Sequence, residues 1–493
     1  MAGSAVLERV PALEPDEYGY YLGEAVRPET GQSLYSPYDQ ALRVIGPMGS
    51  GKTFRYLARV ARRCPGAALL ASTKPDIVEL TLGARVKRGP VVSLDAQGVC
   101  PGLEPLRLSP IHGAEDTEVA SMRAAAFVAG AGASPAAKSD GGDDASSFYK
   151  DQAATVLECL LHAAALDGAS LRDVLKWAAR FSDPAPRVIL DQHPGAGIGW
   201  AENLVRATTG DERKVTNTMS TLARALASFK HAEVVNAVDV APERATDIEA
   251  LLAARGTVYL LGKDNPYLSI APLITAMVED VLDRAERLAN TLEFRRLDPP
   301  LLVGLDEVAN AAPIPSLRQR VADGRARGLA VQYFVQGWAS AEARFGRDVA
   351  KELASFTNNT LVFGGVGDPA FLEEMSKRAG QVRVFRTSTS SGSGRGSGPS
   401  SNVGEDWQPV LRAHQIGQLE VDLGEALLLA SNLPPVITRL PMLKEDEDWP
   451  QIQEEVRQVR AMADAARALA RAEKDRSMRA NAAAWNEQKE SGR

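Results

Sequence analysis

Gly46-Pro47-Met48-Gly49-Ser50-Gly51-Lys52-Thr53 fits the G-x-x-x-x-G-K-[ST] phosphate loop at every fixed position, and no other stretch restricts the fold as strongly. Such a loop works only between a strand and a helix. The preceding Ala41-Leu42-Arg43-Val44-Ile45 is apolar enough for a buried strand, and Phe54, Leu57, Ala58 and Val60 recur at helical spacing between Thr53 and Arg63. The glycines let the backbone approach a polyphosphate, and successive N–H groups point inward at a helix N-terminus. Lys52 reaches the terminal phosphates, and the Thr53 hydroxyl can ligate magnesium. A plain glycine turn before a helix requires neither Lys52 nor Thr53.

A second signal lies 250 residues on. Pro300-Leu301-Leu302-Val303-Gly304-Leu305 reads as a central strand, and it ends in Asp306-Glu307, where open α/β sheets bind ligands. Asp306 is placed to hold the magnesium shell, and Glu307 to polarise the attacking water as a general base. Taken alone, a charged turn after a strand is the commoner case; the phosphate loop tips the balance. Gln336, at the end of the strand Leu329–Val335, can sense a γ-phosphate or orient water, or simply cap. Arg325, in Gly324-Arg325-Ala326-Arg327-Gly328, can stabilise charge on a transferring phosphoryl across a subunit edge; a cation favoured by a helix C-terminus is an equal reading.

Around these signals the chain alternates strands and helices, with strands expected at 67–72, 90–95, 256–262, 300–305, 329–335, 359–364, 424–430 and 436–440. The rhythm is broken from about Gly113 to Glu249 by Ala-, Leu- and Arg-rich segments of helical period, read as an all-helical insertion. Its Ala-, Gly-, Ser- and Asp-rich part, Ala129 to Ser147, reads as a mobile loop, and Thr387 to Ser401, almost wholly Ser, Gly and Thr, as a flexible one. The expected organisation is therefore an N-terminal arm over 1–40, a nucleotide-binding domain in two parts (41–112 and 250–443) around an all-α inserted domain (113–249), and a C-terminal helical tail over 444–493. That tail, a charged helix after Glu445-Asp446-Glu447-Asp448, reads as projecting or partner-binding. Arg85-Val86-Lys87-Arg88 reads as a solvated helix end.

Composition excludes several classes. The net charge of −7 argues against passive coating of nucleic acid, though a ring can be acidic outside and basic within. The three cysteines (Cys64, Cys100, Cys159) and five histidines have no metal-ligand spacing, which reads as reduced thiols in a cytosolic compartment and no protein-bound zinc. No run reaches the ~18 apolar residues of a membrane helix, and no signal peptide opens the chain.

The order of these segments resembles the conjugative DNA-transfer coupling ATPases of type IV secretion (TraG/TraD-like), within the FtsK/HerA-like ring translocases. The likeness spans roughly 40 to 443. It runs through the phosphate loop, Ser72 to Asp76, Ser147-Phe148-Tyr149, Asp306-Glu307-Val308-Ala309-Asn310, Gly324 to Gly328, Val335-Gln336, Phe345-Gly346 and Glu425-Ala426-Leu427-Leu428-Leu429. The resemblance implies an α/β fold: a RecA-like P-loop NTPase with a mainly parallel sheet, an inserted all-helical domain and a C-terminal helix. It implies ATP and Mg2+ at Gly46 to Thr53, with Thr53 and Asp306 on the metal, Asp306-Glu307 as the Walker B pair, Gln336 as sensor and Arg325 as a trans-acting arginine finger. It also implies a hexameric DNA motor with DNA, a relaxase or relaxosome and secretion-channel proteins as partners, cytoplasmic or held at the inner membrane face through those partners. Two readings compete: a soluble FtsK/HerA-like DNA pump in repair, segregation or defence, and a nucleotide-gated cargo adaptor without motor activity. The chain departs from the family in lacking N-terminal transmembrane helices and in carrying Ser72-Thr73-Lys74-Pro75-Asp76 where the family has an Asp-Pro-Lys-Gly-like turn.

Overall fold

The computed structural model describes residues 14–132, 143–263, 269–390, 400–431 and 433–491. Its centre is an eleven-stranded sheet with strands ordered β2-β1-β13-β12-β9-β3-β8-β7-β4-β6-β5. Seven neighbours in that order are parallel: β9 (Asn359–Phe363), β3 (Leu42–Ile45), β8 (Leu329–Val335), β7 (Leu301–Leu305), β4 (Ala68–Ser72), β6 (Thr257–Leu261) and β5 (Val91–Leu94). β3, β4, β6, β7, β8 and β9 are buried along their whole length, as expected of strands covered by helices on both faces. β12 (Glu425–Ala430), β13 (Val436–Arg439), β1 (Gly19–Arg27) and β2 (Ser33–Pro37) extend the sheet antiparallel beyond β9.

The helix after the phosphate loop opens with a π-wound segment, Lys52–Leu57, and continues as α1 (Ala58–Arg63). α2 (Asp76–Arg85) follows β4. From α3 (Thr117–Ala131) and α4 (Asp143–Asp167) to the helix Ile248–Ala253, all regular structure among the described residues is helical. That last helix spans the 249/250 boundary expected from sequence. The helical region is welded to the sheet layer through α5 (Ala271–Thr291). Gly130 of α3 lies so close to Pro272 that a Cβ there would stand 2.3 Å from its Cα. Buried Arg123 of α3 pairs with buried Asp280 of α5, and its guanidinium also donates to the Pro110 and His112 carbonyls. α6 (Leu317–Arg327) leads into β8, and α7 (Trp338–Phe345) leaves it.

Four expectations change. Residues 19–37, expected in an extended arm, are two strands of the main sheet; a register shift between Tyr21 and Gly23 breaks the alternation that marks a strand in sequence. Thr387 to Ser401, expected as a flexible loop, is entered by β10 (Gln381–Ser390) and left by β11 (Ser400–Pro409), an antiparallel ribbon; 391–399 lie outside the described residues. The backbone ladder carries such a ribbon even where its side chains are Ser and Thr. The expected loop at Ala129–Ser147 is helical to Ala131 and from Asp143, with 133–142 outside the described residues. The tail helix α8 (Trp449–Ser491) does not simply project: Ile452, Val459 and Ala463 are buried, and Trp449 meets Phe54 at 5.8 Å between ring centroids. Arg460 pairs with Glu79 of α2, Arg467 donates to the Val99 carbonyl, and Leu469 and Met478 beyond are exposed.

Arg85 is a further correction. It is fully buried rather than solvated, donating to Thr257 Oγ1 and to the Cys64 and Gly66 carbonyls, so it ties α2 to β6 and to the turn after α1. Arg59 and Arg62 are largely buried, in ion pairs with Asp446 and Glu455. Cys64, Cys100 and Cys159 are buried free thiols. No described helix is long and apolar enough to cross a membrane.

Candidate functional site

The C-terminal ends of four adjacent parallel strands, β3, β8, β7 and β4, converge on one point, and each delivers a piece of the site. β3 ends in the phosphate loop, β8 in Gln336, β7 in Asp306-Glu307 and β4 in Ser72. Register sets this alignment: Ile45 is level with Val335, Leu305 with Tyr333, and Ala71 with Leu305. The Asp306 amide, donating to the Ala71 carbonyl, carries the pairing one residue past the strand.

Gly49 and Gly51 take φ of +83° and +80°, a region any Cβ would strain, and this brings the loop over the helix it opens. The Arg55 amide donates to the Gly51 carbonyl, fixing the first turn. Lys52 is 8% exposed and turned inward, its ammonium donating to the Gly46 carbonyl and, at 3.0 Å, to that of Pro47. Burial pulls its pKa down, and the Asp306 and Glu307 carboxylates pull it back in part. Ser50 Oγ is buried in the loop and has no hydrogen-bond partner among the described residues, which leaves a donor free within the phosphate loop.

Two hydroxyls converge on one carboxylate oxygen. Ser72 Oγ donates to Asp306 Oδ2 at 3.0 Å and Thr53 Oγ1 at 3.4 Å. Asp306 is 5% exposed. Burial raises its pKa, the neighbouring Glu307 charge raises it further, and Ser72, Lys52 and Lys74 oppose the rise. Hard oxygen donors so grouped, beside a phosphate loop, fit magnesium. Glu307 sits at φ +55°, ψ +49°, an uncommon backbone for glutamate, and Gln336 Nε2 donates to its Oε1 at 2.8 Å. The structure therefore brings together Gly46 to Thr53, Asp306, Glu307 and Gln336.

Arg325 is not among them. It lies in the last turn of α6, at the opposite end of the parallel strands, separated from Gln336 by the length of β8, about 20 Å at strand rise. Its side chain is 69% exposed, and its Nε donates to Asp39 Oδ2 at 3.0 Å.

Three contributors escaped sequence reading. Ser72 stands where the family pattern has an acid, and its hydroxyl supplies a donor to Asp306 instead; the discoverable signal was its place at the end of a strand beside β7. Arg55 donates to the Leu440, Val421 and Asp422 carbonyls, tying the loop helix to the chain around β12 and β13. Arg344, at the end of α7, donates to the Ala129 and Gly130 carbonyls at the C-terminus of α3, and burial pushes its pKa down to about 10. Gln336 is thus joined to the helical region by one two-turn helix.

Comparisons fit this geometry. Residues 300–421 match the family described as the TraM recognition site of TraD and TraG. Solved structures of the same overall fold include the bacterial conjugative coupling protein TrwBdeltaN70 in an unbound form, at 19% identity and a TM-score of 0.62, covering 83% of this chain and 86% of that one. They also include the plasmid coupling protein TrwB with the ATP analogue ADPNP (18% identity, TM-score 0.60) and with ADP and Mg2+ (19%, 0.60), each covering 82% of this chain and 86% of the other. No curated protein matches the chain in sequence. The chain is similar to TraG/TraD-like coupling proteins in its matched segment and to TrwB in fold.

Proposed function

We propose that this protein is a ring-forming, hexameric ATPase that moves DNA, or DNA with bound protein, to a type IV conjugative secretion channel. The observation that carries this reading is the split of its charged groups. The C-terminal ends of the central strands hold a nucleotide site that includes Lys52, Thr53, Asp306, Glu307 and Gln336, while Arg325 stands exposed about 20 Å away at their N-terminal ends. An arginine so placed cannot serve its own loop, but it can reach the loop of a neighbour in a ring. The match of residues 300–421 to a TraM recognition site supports a relaxosome protein as partner.

Each side chain has a task in this reading. The loop amides and Lys52 bind and orient the β- and γ-phosphates of ATP. Thr53 and Asp306, the latter steadied by Ser72, would hold magnesium, which when bound would neutralise phosphate charge. Glu307 accepts the proton of the attacking water, and Gln336 fixes its carboxylate for that purpose. Arg325 of an adjacent subunit offsets charge on the transferring phosphoryl. Arg344 carries a change at Gln336 into the helical region over 113–249, which we assign as a unit inserted in the nucleotide-binding region of 41–112 and 250–443.

Mixing Lys52→Ala chains with Arg325→Ala chains tests the assignment. Each variant alone is inactive, yet some hybrid interfaces carry both an intact loop and an intact arginine, so mixtures recover part of the hydrolysis rate. Complete absence of recovery, with hybrid rings demonstrated, removes the trans-acting role.

A further inference from the structure

We propose a second anion site, at the far end of the phosphate-loop helix, that takes a compact phosphate-bearing group. A cleft of about 360 Å3 opens where α1 and α2 end and α8 begins. Arg59, Arg62, Arg63, Lys87 and Arg88 line it, against Asp446 and Asp448. Its volume equals that of on the order of ten waters, room for a pyrophosphate or a phosphorylated headgroup but not a duplex.

The cations outnumber what neutralises them. Asp446 is shared by Arg59 (2.5 Å) and Arg63 (3.5 Å), Arg63 also meets Asp16 (3.4 Å), and Glu455 is shared by Arg62 (2.8 Å) and Lys87 (3.2 Å), so that with Asp448 the carboxylates stay one short of the cations. Asp448 is half exposed and 3.9 Å from Arg62, a contact easily exchanged. Arg88 has no ion pair among the described residues, and the buried Arg59 Nε has no hydrogen-bond partner. Cations at helix C-termini have an ordinary use in offsetting the helix dipole. The ends of α1 and α2 account for about half a charge each, and the start of α8 returns about half a charge of the opposite sign. The cleft keeps a positive surplus on a chain whose net charge is −7. An entering dianion meets Arg63, Lys87 and Arg88 at the rim and competes with Asp448 for Arg62.

The test uses the full chain carrying Lys52→Ala, so that the phosphate loop contributes least. Tripolyphosphate is titrated calorimetrically at low salt, and flotation compares vesicles of phosphatidylcholine with vesicles containing phosphatidic acid. Adding Lys87→Ala and Arg88→Ala, both exposed, should weaken tripolyphosphate binding at least tenfold while leaving the melting temperature unchanged; Arg287→Ala with Arg318→Ala, on α5 and α6, removes the same two charges as a control. Saturable tripolyphosphate binding lost in the Lys87/Arg88 variant supports the site with a soluble ligand. Phosphatidic-acid flotation lost in the same variant supports it with a lipid headgroup. Binding in neither arm, or binding that the two substitutions leave unchanged, overturns the proposal.

Discussion

Replacing Gln336 with alanine removes the one side-chain hydrogen bond to Glu307 Oε1 among the described residues, the 2.8 Å bond from Gln336 Nε2. A hydrogen bond to a charged group contributes about 1.5–3 kcal/mol. If that energy holds the carboxylate in its water-activating position, kcat falls by about 10- to 150-fold, because each 1.36 kcal/mol is a factor of ten in rate. Among the described residues the Gln336 side chain makes no hydrogen bond to the phosphate loop, so nucleotide affinity should change by no more than about twofold. The informative experiment is a double-mutant cycle read by single-turnover hydrolysis. Glu307→Gln alone should bind ATP and almost stop turnover, and adding Gln336→Ala should slow it no further, because the two residues act as one unit. If the two losses multiply, Gln336 acts on the phosphate independently of Glu307, and the positioning argument is wrong.

Other outcomes follow from the same contacts. Asp306 is held above its ordinary pKa by burial and by Glu307, so its metal-binding form is gained as pH rises. Ser72→Ala should move magnesium-dependent nucleotide binding to higher pH, and magnesium titrations superimposable on the parent at every pH would sink this role for Ser72. Arg123→Met leaves buried Asp280 with Arg284 alone and should cost about 3–5 kcal/mol in urea unfolding. Burial pushes the Asp280 pKa up, but Arg123 and Arg284 outweigh it and hold the carboxyl below its ordinary range. Its contribution is therefore complete above the unfolded-state pKa, about 4, and is lost as pH falls further. Acid unfolding curves of Asp280→Asn should lack that component.

The phosphate loop and the acidic end of β7 were legible because their chemistry fixes residue type and spacing. The parallel core was legible because strands buried on both faces read as continuous apolar runs. What sequence obscured has local causes. β1 hides behind a register shift at Gly23, and the docked face of α8 is three apolar residues, Ile452, Val459 and Ala463, diluted among charges. Arg85 looked solvated because its partners are backbone carbonyls, which leave no trace in sequence. Ser72 was read as a missing acid; only the juxtaposition of β4 and β7 reveals it as a donor to Asp306. Arg325 remained even between two readings on local chemistry, and its distance from the loop became evident only with the order of α6 and β8.

The most direct test of the account is the rate of ATP hydrolysis per subunit, measured over a wide range of protein concentration with and without single- and double-stranded DNA. A site completed by a neighbour's Arg325 should show a per-subunit rate that climbs with concentration and rises further, at lower protein, when DNA promotes assembly. A rate that is the same at every concentration and indifferent to DNA would contradict both the shared site and the DNA motor.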